Sequence, residues 1–300
     1  MIWSSSRWNG SLEVLQPTSW GEALAAKQEH PDAVPLAGGT DLLVELNFGR
    51  RRPETILDLT RVAELGHWSR DDAEVRLGAG VNYALVITEL ATELPGLAIA
   101  SRTVGSPQIR NRGTVGGNLG TSSPAGDALP PLVASRARIE LASTSGSRVV
   151  PVDEFCTGPK RNVLAPDELI SAIHLPVASG PQQFSKIGTR NAMVIAVASF
   201  ALSLDPTNRS VGTGIGSAGP VPLRASKAER FLEGALDEGN LWDDRGPLPE
   251  AAVARFAQLA SEAAKPIDDV RGSAAYRRHA LAVMAKRTLQ WAWADYRDVN

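Results

Sequence analysis

The stretch IRNRGTVGGNLGTSSPAGD, residues 109–127, restricts the fold of this chain more than any other segment. Together with Gly105 just before it, the stretch contains six glycines and few large side chains. Because glycine has no Cβ, such a backbone suits tight turns and the close approach of another molecule. Val115 and Leu119 alternate with small residues, which indicates a backbone held against a core. The stretch is therefore either a ligand-binding backbone or a compact glycine loop in which Asp127 caps a helix at ALPPL, although Pro130 and Pro131 disfavour that helix.

A second glycine-rich stretch, PLAGGTDLL, has the order of a strand, a turn and a helix. An apolar strand runs into Gly38 and Gly39, and Thr40 is placed to cap a helix that begins at Asp41. Such a turn points several backbone N–H groups into one concavity, and the start of a helix adds partial positive charge. The sequence predicts a phosphate-binding turn here, with an ordinary strand-turn-helix connection as the alternative.

A third stretch, GIGSAG at residues 214–219, fits the pattern G-x-G-x-x-G of dinucleotide-binding turns. That pattern requires a helix to begin within it, and Pro220 and Pro222 prevent a helix there. We therefore predict no nucleotide site at this stretch. The other two stretches have no Walker lysine pattern, general base, nucleophile or metal cluster beside them. They predict a pyrophosphate held from two sides, in a protein whose chemistry belongs to a bound cofactor.

Composition narrows the class of protein further. The chain has 300 residues, 43% apolar and 21% charged, with a formal net charge of −2. These values indicate two globular domains and exclude a basic surface for nucleic acid. The longest apolar run, 192–204, is too short to cross a bilayer, and MIWSSSRWNG lacks the pattern of a signal peptide. We expect a cytoplasmic protein without membrane insertion.

Metal and disulfide chemistry are not expected in this chain. Cys156 is the only cysteine, so the chain alone holds neither a disulfide nor a cysteine-ligated iron–sulfur cluster. The four histidines show no ligand spacing with one another or with Cys156, so we predict no metal site. An isolated cysteine of this kind is typical of core packing.

The pattern of elements predicts an α+β fold in two domains. The first domain, residues 1–176, mixes short strands and helices and ends with the strand ELISAIHLP. The linker VASGPQQ, residues 177–183, precedes the second domain, residues 183–300. There, FSKIGT, AMVIAVASFALSLD and RSVGTGIGS predict one antiparallel sheet of three strands, followed by helices around 226–235, 251–264 and 273–296.

The stretches AGGTDLL and IRNRGTVGGNLGTSSPAGD closely resemble the two FAD-pyrophosphate loops in the FAD-binding (medium) subunit of molybdenum hydroxylases, the family of xanthine dehydrogenase and carbon monoxide dehydrogenase. FCTGPKRNVLAPDELISAIHLP resembles the end of that family's FAD domain. FSKIGTRNAMVIAVASFAL and DVRGSAAYRRHALAVMAKRTL resemble its C-terminal domain. The resemblance covers nearly the whole chain. It implies an FAD-binding domain of the vanillyl-alcohol-oxidase (PCMH) type with two subdomains, then a C-terminal domain of a three-stranded antiparallel sheet and helices.

The resemblance also implies which residues bind FAD. One side of the pyrophosphate would be wrapped by Pro35 to Leu42 and the other held by Thr114 to Asn118, while Asp127 would bind FAD hydroxyl groups. Val104, Ile170 and Lys186 match further family positions that contact the cofactor. The implied set is Pro35, Leu36, Ala37, Gly38, Gly39, Thr40, Asp41, Leu42, Val104, Thr114, Val115, Gly116, Gly117, Asn118, Asp127, Ile170 and Lys186.

The role implied by the family is electron transfer within an oxidoreductase complex. A large subunit with a molybdenum–pterin centre oxidises the substrate, and a small subunit with two two-iron two-sulfur clusters carries the electrons to FAD. FAD then passes them to an acceptor such as NAD, a quinone or oxygen. The resemblance implies both partner subunits, in a dimer of heterotrimers, and the single cysteine agrees with clusters held by a partner.

Two other functions stay open at this stage. A stand-alone FAD-dependent oxidase or dehydrogenase would need a substrate base or a covalent flavin link, and no histidine lies beside either glycine-rich stretch. A non-catalytic interaction module would use the two stretches only to shape a surface.

Several single positions also have two interpretations. Lys186 is either a solvated strand lysine or faces flavin or phosphate, and Arg110 to Arg112 either contact phosphate or lie in ion pairs and solvent. Arg50 to Arg52 form either a solvated turn or a subunit contact. Trp291 and Trp293 lie two apart on a helix, so at most one faces the core and the other is available to a partner.

Overall fold

A computed structural model describes residues 12–298, so the prediction made for MIWSSSRWNG lies outside the described residues. This part of the chain contains thirteen strands and twelve helices. The strands are β1 (Glu13–Leu15), β2 (Val34–Leu36), β3 (Thr55–Asp58), β4 (Trp68–Arg70), β5 (Glu74–Gly78), β6 (Arg138–Ser143), β7 (Gly146–Pro151), β8 (Cys156–Gly158), β9 (Arg161–Asn162), β10 (Leu169–Pro176), β11 (Gln182–Ile187), β12 (Ala198–Asp205) and β13 (Ser210–Gly216). The helices are α1 (Trp20–Glu29), α2 (Leu42–Asn47), α3 (Tyr83–Glu89), α4 (Pro95–Arg102), α5 (Pro107–Arg112), α6 (Val115–Thr121), α7 (Leu129–Ala134), α8 (Val152–Phe155), α9 (Ser226–Glu238), α10 (Leu241–Asp244), α11 (Glu250–Glu262) and α12 (Ala274–Asp298).

The N-terminal part begins with a small parallel sheet in the order β1-β3-β2. Its first connection is α1, which a capping box starts: the Ser19 hydroxyl accepts from the N–H of Glu22, and the Glu22 carboxylate accepts from the N–H of Thr18 at 2.8 Å. The strand β2 then leads directly into the turn at Gly38 and Gly39. The predicted order of strand, glycine turn and helix is therefore present.

A second, antiparallel sheet follows in the order β4-β5-β10-β6-β7. Apolar and charged side chains lie on opposite faces of its central strands. Buried Leu77, Ile139 and Ile173 face the core, and charged residues lie on the other face. The hairpin of β6 and β7 forms where ARIELAS and SRVVPV predicted it. Two sheets thus divide the N-terminal part into two subdomains.

The C-terminal part is one antiparallel sheet in the order β11-β12-β13, covered by α9, α11 and α12. Phe200 of the sheet packs edge-on against Phe256 of α11, with the ring centroids 6.2 Å apart, and Leu281 of α12 is fully buried. The α+β class and the three-stranded antiparallel sheet are confirmed. The boundaries 1–176 and 183–300 stay a prediction.

Two local predictions were wrong. Helix α2 begins at Leu42 with Asp41 as its N-cap and without a side-chain capping bond, so Thr40 does not cap it. A helix, α7, does form at ALPPL, with Ala128 rather than Asp127 at its N-cap. Prolines are tolerated there because the first residues of a helix have no intrahelical use for their N–H groups.

The stretch GIGSAG lies at the junction between the N-terminal and C-terminal parts. Gly214 lies in β13, and no helix begins within the stretch, as Pro220 and Pro222 predicted. A Cβ added to Gly214 would lie 1.9 Å from the carbonyl oxygen of Pro130, and one added to Gly212 would lie 1.9 Å from that of Ala134. Glycine is required here because β13 packs directly on the backbone of α7.

No helix within residues 12–298 combines the length and the apolar character needed to span a bilayer. The same residues bring together no group of three His, Cys, Asp or Glu side chains that would hold a metal ion.

Candidate functional site

The two glycine-rich stretches meet at a cavity of about 550 Å³ in the N-terminal part. A Cβ added to Gly38 would lie 1.9 Å from the carbonyl oxygen of Arg112 and 2.8 Å from the Cα of Gly113. The backbones of the two stretches are therefore in direct contact, which only a glycine at position 38 permits. This contact brings together residues that are more than seventy positions apart in the sequence.

The stretch PLAGGTDLL presents free backbone donors. Gly39 has a φ of +76°, in the left-handed region that favours glycine. Among the described residues, nothing accepts a hydrogen bond from the N–H groups of Gly38, Gly39 or Thr40. Consecutive N–H groups in such a turn form an anion-binding concavity. The predicted phosphate turn therefore has the geometry that its function requires.

The stretch 109–127 contains the helix α6, whose first N–H donors are already used inside the protein. The N–H of Val115 donates to Val81 and that of Gly116 to Ala79, both at 3.1 Å, while Gly117 donates to the hydroxyl of Thr114 at 2.9 Å. A Cβ added to Gly116 would lie 2.5 Å from the carbonyl oxygen of Ala79. The glycines of this stretch therefore serve close packing and leave space, whereas PLAGGTDLL supplies the donors.

The structure places nine of the seventeen predicted residues on the cavity wall. These are Pro35, Ala37, Gly38, Asp41, Leu42, Thr114, Gly116, Gly117 and Ile170. Five more belong to the same two stretches but do not line the cavity: Leu36, Gly39, Thr40, Val115 and Asn118.

The remaining three predicted residues, Val104, Asp127 and Lys186, do not line the wall and lie at the domain junction. The Lys186 ammonium of β11 donates to the Asp127 carboxylate at 2.6 Å and to the carbonyl of Thr103 at 3.2 Å. Both side chains of this pair are at least 90% buried. Burial raises the pKa of Asp127, and the Lys186 charge only partly opposes it. Lys186 is therefore not a solvated lysine.

Several wall residues were not predicted. Lys160, in the turn between β8 and β9, forms an ion pair with Glu45 of α2, and both line the cavity. Asn162 anchors the same hairpin by donating to the carbonyl of Gly120 at 3.2 Å. The segment 59–66 lines another part of the wall. These residues carry no local motif, because only the packing of the hairpin and the small parallel sheet brings them to the cavity.

Comparison with known proteins gives the family. Residues 10–178 match the family described as the FAD binding domain in molybdopterin dehydrogenase, and residues 183–292 match the CO dehydrogenase flavoprotein C-terminal domain. The first match alone spans more than half of the chain. This chain belongs to the FAD-binding family of molybdopterin dehydrogenases.

Relatives of this flavoprotein family match the chain over nearly its whole length. The xanthine dehydrogenase FAD-binding subunit of Escherichia coli O157:H7 is 30% identical over 286 residues, covering 91% of this chain and 93% of the relative. The carbon monoxide dehydrogenase medium chain of Hydrogenophaga pseudoflava is 30% identical, with coverage of 94% and 97%. The structure of carbon monoxide dehydrogenase from Hydrogenophaga pseudoflava, which lacks the Mo-pyranopterin moiety of its cofactor, superposes with a TM-score of 0.86 over 95% of this chain and 98% of that chain. The implied fold is confirmed.

The residues of this flavoprotein fit FAD. A cavity of about 550 Å³ lies within the range of small-molecule sites, and the turn at Gly38 offers free N–H groups to phosphate. Two buried acceptors, Asn118 Oδ1 and Asp127 Oδ1, have no hydrogen-bond partner among the described residues. Buried acceptors are seldom left unpaired, and ligand hydroxyls are suitable donors to them.

Proposed function

We propose that this chain binds FAD and transfers electrons as the flavin subunit of a molybdenum hydroxylase. The observation that carries the proposal is the meeting of two glycine-rich stretches at one cavity, where the turn at Gly38 leaves its N–H groups without partners. Bound FAD supplies the redox chemistry, accepting electrons and passing them on. The protein binds and orients it and keeps water from the buried part of the site.

The predicted cofactor residues then have separate tasks. The N–H groups of Gly38, Gly39 and Thr40 bind the pyrophosphate, and α6 forms the opposite wall. Asn118 and Asp127 accept hydrogen bonds from FAD hydroxyl groups. Ile170 contacts the flavin, and Lys186 holds the carboxylate of Asp127 in place.

The partners are those of the family. The single cysteine of the chain cannot ligate an iron–sulfur cluster, so electrons reach FAD from clusters in a small subunit, which receives them from a large molybdenum-cofactor subunit. We propose a dimer of heterotrimers in the cytoplasm, with NAD, a quinone or oxygen as the external acceptor.

The cavity wall does not favour a stand-alone oxidase. Among its described residues there is no histidine, cysteine or tyrosine, the side chains to which flavins are linked covalently, and the Glu45 carboxylate is paired with Lys160. A non-catalytic module would not need free N–H groups or unpaired buried acceptors, and both are present here.

The test uses the chain purified together with its partner subunits. We expect the visible absorption of bound flavin, its loss when the substrate of the complex is added, and its return with one of the three acceptors. A colourless complex that takes up no added FAD would overturn the proposal. Turnover of an organic substrate by this chain without partners would favour the stand-alone oxidase instead.

A further inference from the structure

The motif Arg110 to Arg112 contains two arginines with different surroundings. Arg110 Nη1 donates to three backbone carbonyls, those of Arg102, Val104 and Gly105, at 3.1 to 3.3 Å. These contacts close the loop between α4 and α5, so Arg110 is a structural residue. Arg112 makes no such contacts and lines the cavity.

Arg112 lies beside the turn of PLAGGTDLL that presents the free donors. Its carbonyl oxygen is the atom that a Cβ on Gly38 would strike, so the backbones of the two residues touch. Within residues 12–298, no acceptor lies within hydrogen-bond or ion-pair distance of the Arg112 guanidinium, although its charge helps to lower the pKa of Asp58. The nearby carboxylate of Asp58 already accepts hydrogen bonds from Thr60 and Gln16.

A second arginine, Arg51, also lines the cavity without a hydrogen bond or ion pair to a described residue, and its charge helps to lower the pKa of Glu45. The third cation of the wall, Lys160, is different because its ammonium is paired with Glu45. Two guanidinium groups without a hydrogen bond or ion pair, on the same cavity wall as free backbone N–H groups, are suited to a ligand with two adjacent negative charges.

We propose that Arg112 and Arg51 bind the two phosphates of the cofactor directly and make the site selective for a diphosphate over a flavin with one phosphate or none. This inference rests on the proposed function. It adds side-chain charge to the backbone donors, which by themselves do not distinguish one phosphate from two. The ADP portion of the ligand then supplies much of the affinity.

The test measures binding of four probes to the cofactor-free full chain: FAD, ADP, FMN and riboflavin. We expect Arg112→Met to weaken FAD and ADP by the same factor, about 10- to 100-fold, while riboflavin affinity is unchanged. Arg51→Met has a smaller effect in the same direction. Arg112→Lys restores part of the affinity, because it keeps the charge but not the planar fork.

The matched control is Arg278→Met, which removes an exposed arginine of α12 far along the chain and leaves all four affinities at the wild-type level. Equal FAD and ADP affinities in wild type and Arg112→Met would overturn the inference and leave the proposed function intact. An equal loss of all four probes, with a lower melting temperature, would show that Arg112 is structural and also overturn it. A wild-type chain that binds no FAD would instead contradict the proposed function.

Discussion

At the scale of single residues, the buried pair of Asp127 and Lys186 joins the two domains. The carboxylate and the ammonium are 2.6 Å apart, and Asp127 Oδ1 still lacks a hydrogen bond. A buried pair gains little over apolar residues, but removing one partner leaves a buried charge uncompensated. Loss of either side chain should therefore destabilise the junction between the two domains.

Each single substitution at this pair should lower the free energy of unfolding, and the double substitution should lower it by less than the sum of the two. We expect Asp127→Asn and Lys186→Met each to lower the free energy of unfolding by about 3 kcal/mol. The double variant should lose less than the sum, because neither charge is then left alone. Chemical denaturation of the four proteins measures this coupling, and strictly additive losses would show that the two side chains do not interact.

A second prediction at this scale concerns the space left by glycine in α6. A Cβ on Gly120 would meet only Ile170 Cδ1, at 3.9 Å, so a larger side chain there enters the cavity rather than the core. Gly117 faces Ala37 across the same space, although its Cβ would also lie 2.9 Å from the Thr114 hydroxyl. We expect Gly120→Val and Gly117→Val to lose FAD.

The ratio of flavin to protein after desalting measures this loss. Gly234→Ala is the control, because a Cβ at that helical position in α9 meets nothing within 4 Å and should leave the flavin content unchanged. Full retention of FAD by Gly120→Val would place the cofactor elsewhere.

At the scale of elements, the outer face of the antiparallel sheet carries a network of charges. His174 of β10 lies between two carboxylates, with Nδ1 2.7 Å from Glu74 and Nε2 2.9 Å from Glu140. Burial alone would raise the pKa of Glu140, but hydrogen bonds from Arg76, Ser171 and His174 lower it to about 2. The three central strands are thus joined by side chains as well as by their backbones.

This network predicts a dependence of stability on pH. The pKa of Glu140 is lower in the folded chain than its ordinary value of 4.5, so its contribution is complete above pH 4.5 and is lost as the pH falls toward 2. Because part of the carboxylate is exposed to screening solvent, we expect the loss to be about 2 kcal/mol.

Glu140→Gln should therefore unfold with less dependence on pH between 4.5 and 2 than the wild type. Thermal melts across this range measure the difference. Glu262→Gln is a suitable control, since that carboxylate lies at the end of α11 outside the network. The same slope in wild type and Glu140→Gln would assign the acid sensitivity to other groups.

At the scale of the whole molecule, the contact of β13 with α7 sets the position of the C-terminal part. Gly212 and Gly214 allow the strand to touch the carbonyls of Ala134 and Pro130, and the N–H of Ser217 donates to the carbonyl of Pro124 at 2.7 Å. The helix α7 begins two residues after Asp127. The strand contact therefore also determines where Lys186 meets that carboxylate.

Gly214→Val should separate the two parts of the molecule. Its Cβ would lie 1.9 Å from a backbone oxygen that cannot rotate away, so we expect a loss of about 3 kcal/mol or more in the free energy of unfolding. FAD should be lost as well, since Lys186 moves from Asp127. Melting temperature and flavin content measure the two effects, and a variant of wild-type stability would contradict this account of the junction.

Much of the fold was readable from local patterns. Alternating apolar residues predicted the hairpin of β6 and β7, apolar runs predicted the three strands of the C-terminal sheet, and the prolines after Gly219 excluded a nucleotide turn. Trp293 is buried while Trp291 is 48% exposed, as their spacing required. These predictions succeeded because each depends only on residues close together in the chain.

The sequence by itself determined that a glycine turn follows β2, that glycine-rich backbone recurs near residue 116, and that one cysteine cannot hold a cluster. Only the tertiary structure decided that Gly38 touches Arg112, that the donors of α6 are used inside the protein, and that Arg110 and Arg112 have different surroundings. It also brought Lys160 to the wall and Lys186 to Asp127. The physical reason is that hydrogen-bond partners and burial belong to pairs of distant residues, and no local pattern specifies which backbone carbonyl a side chain will meet.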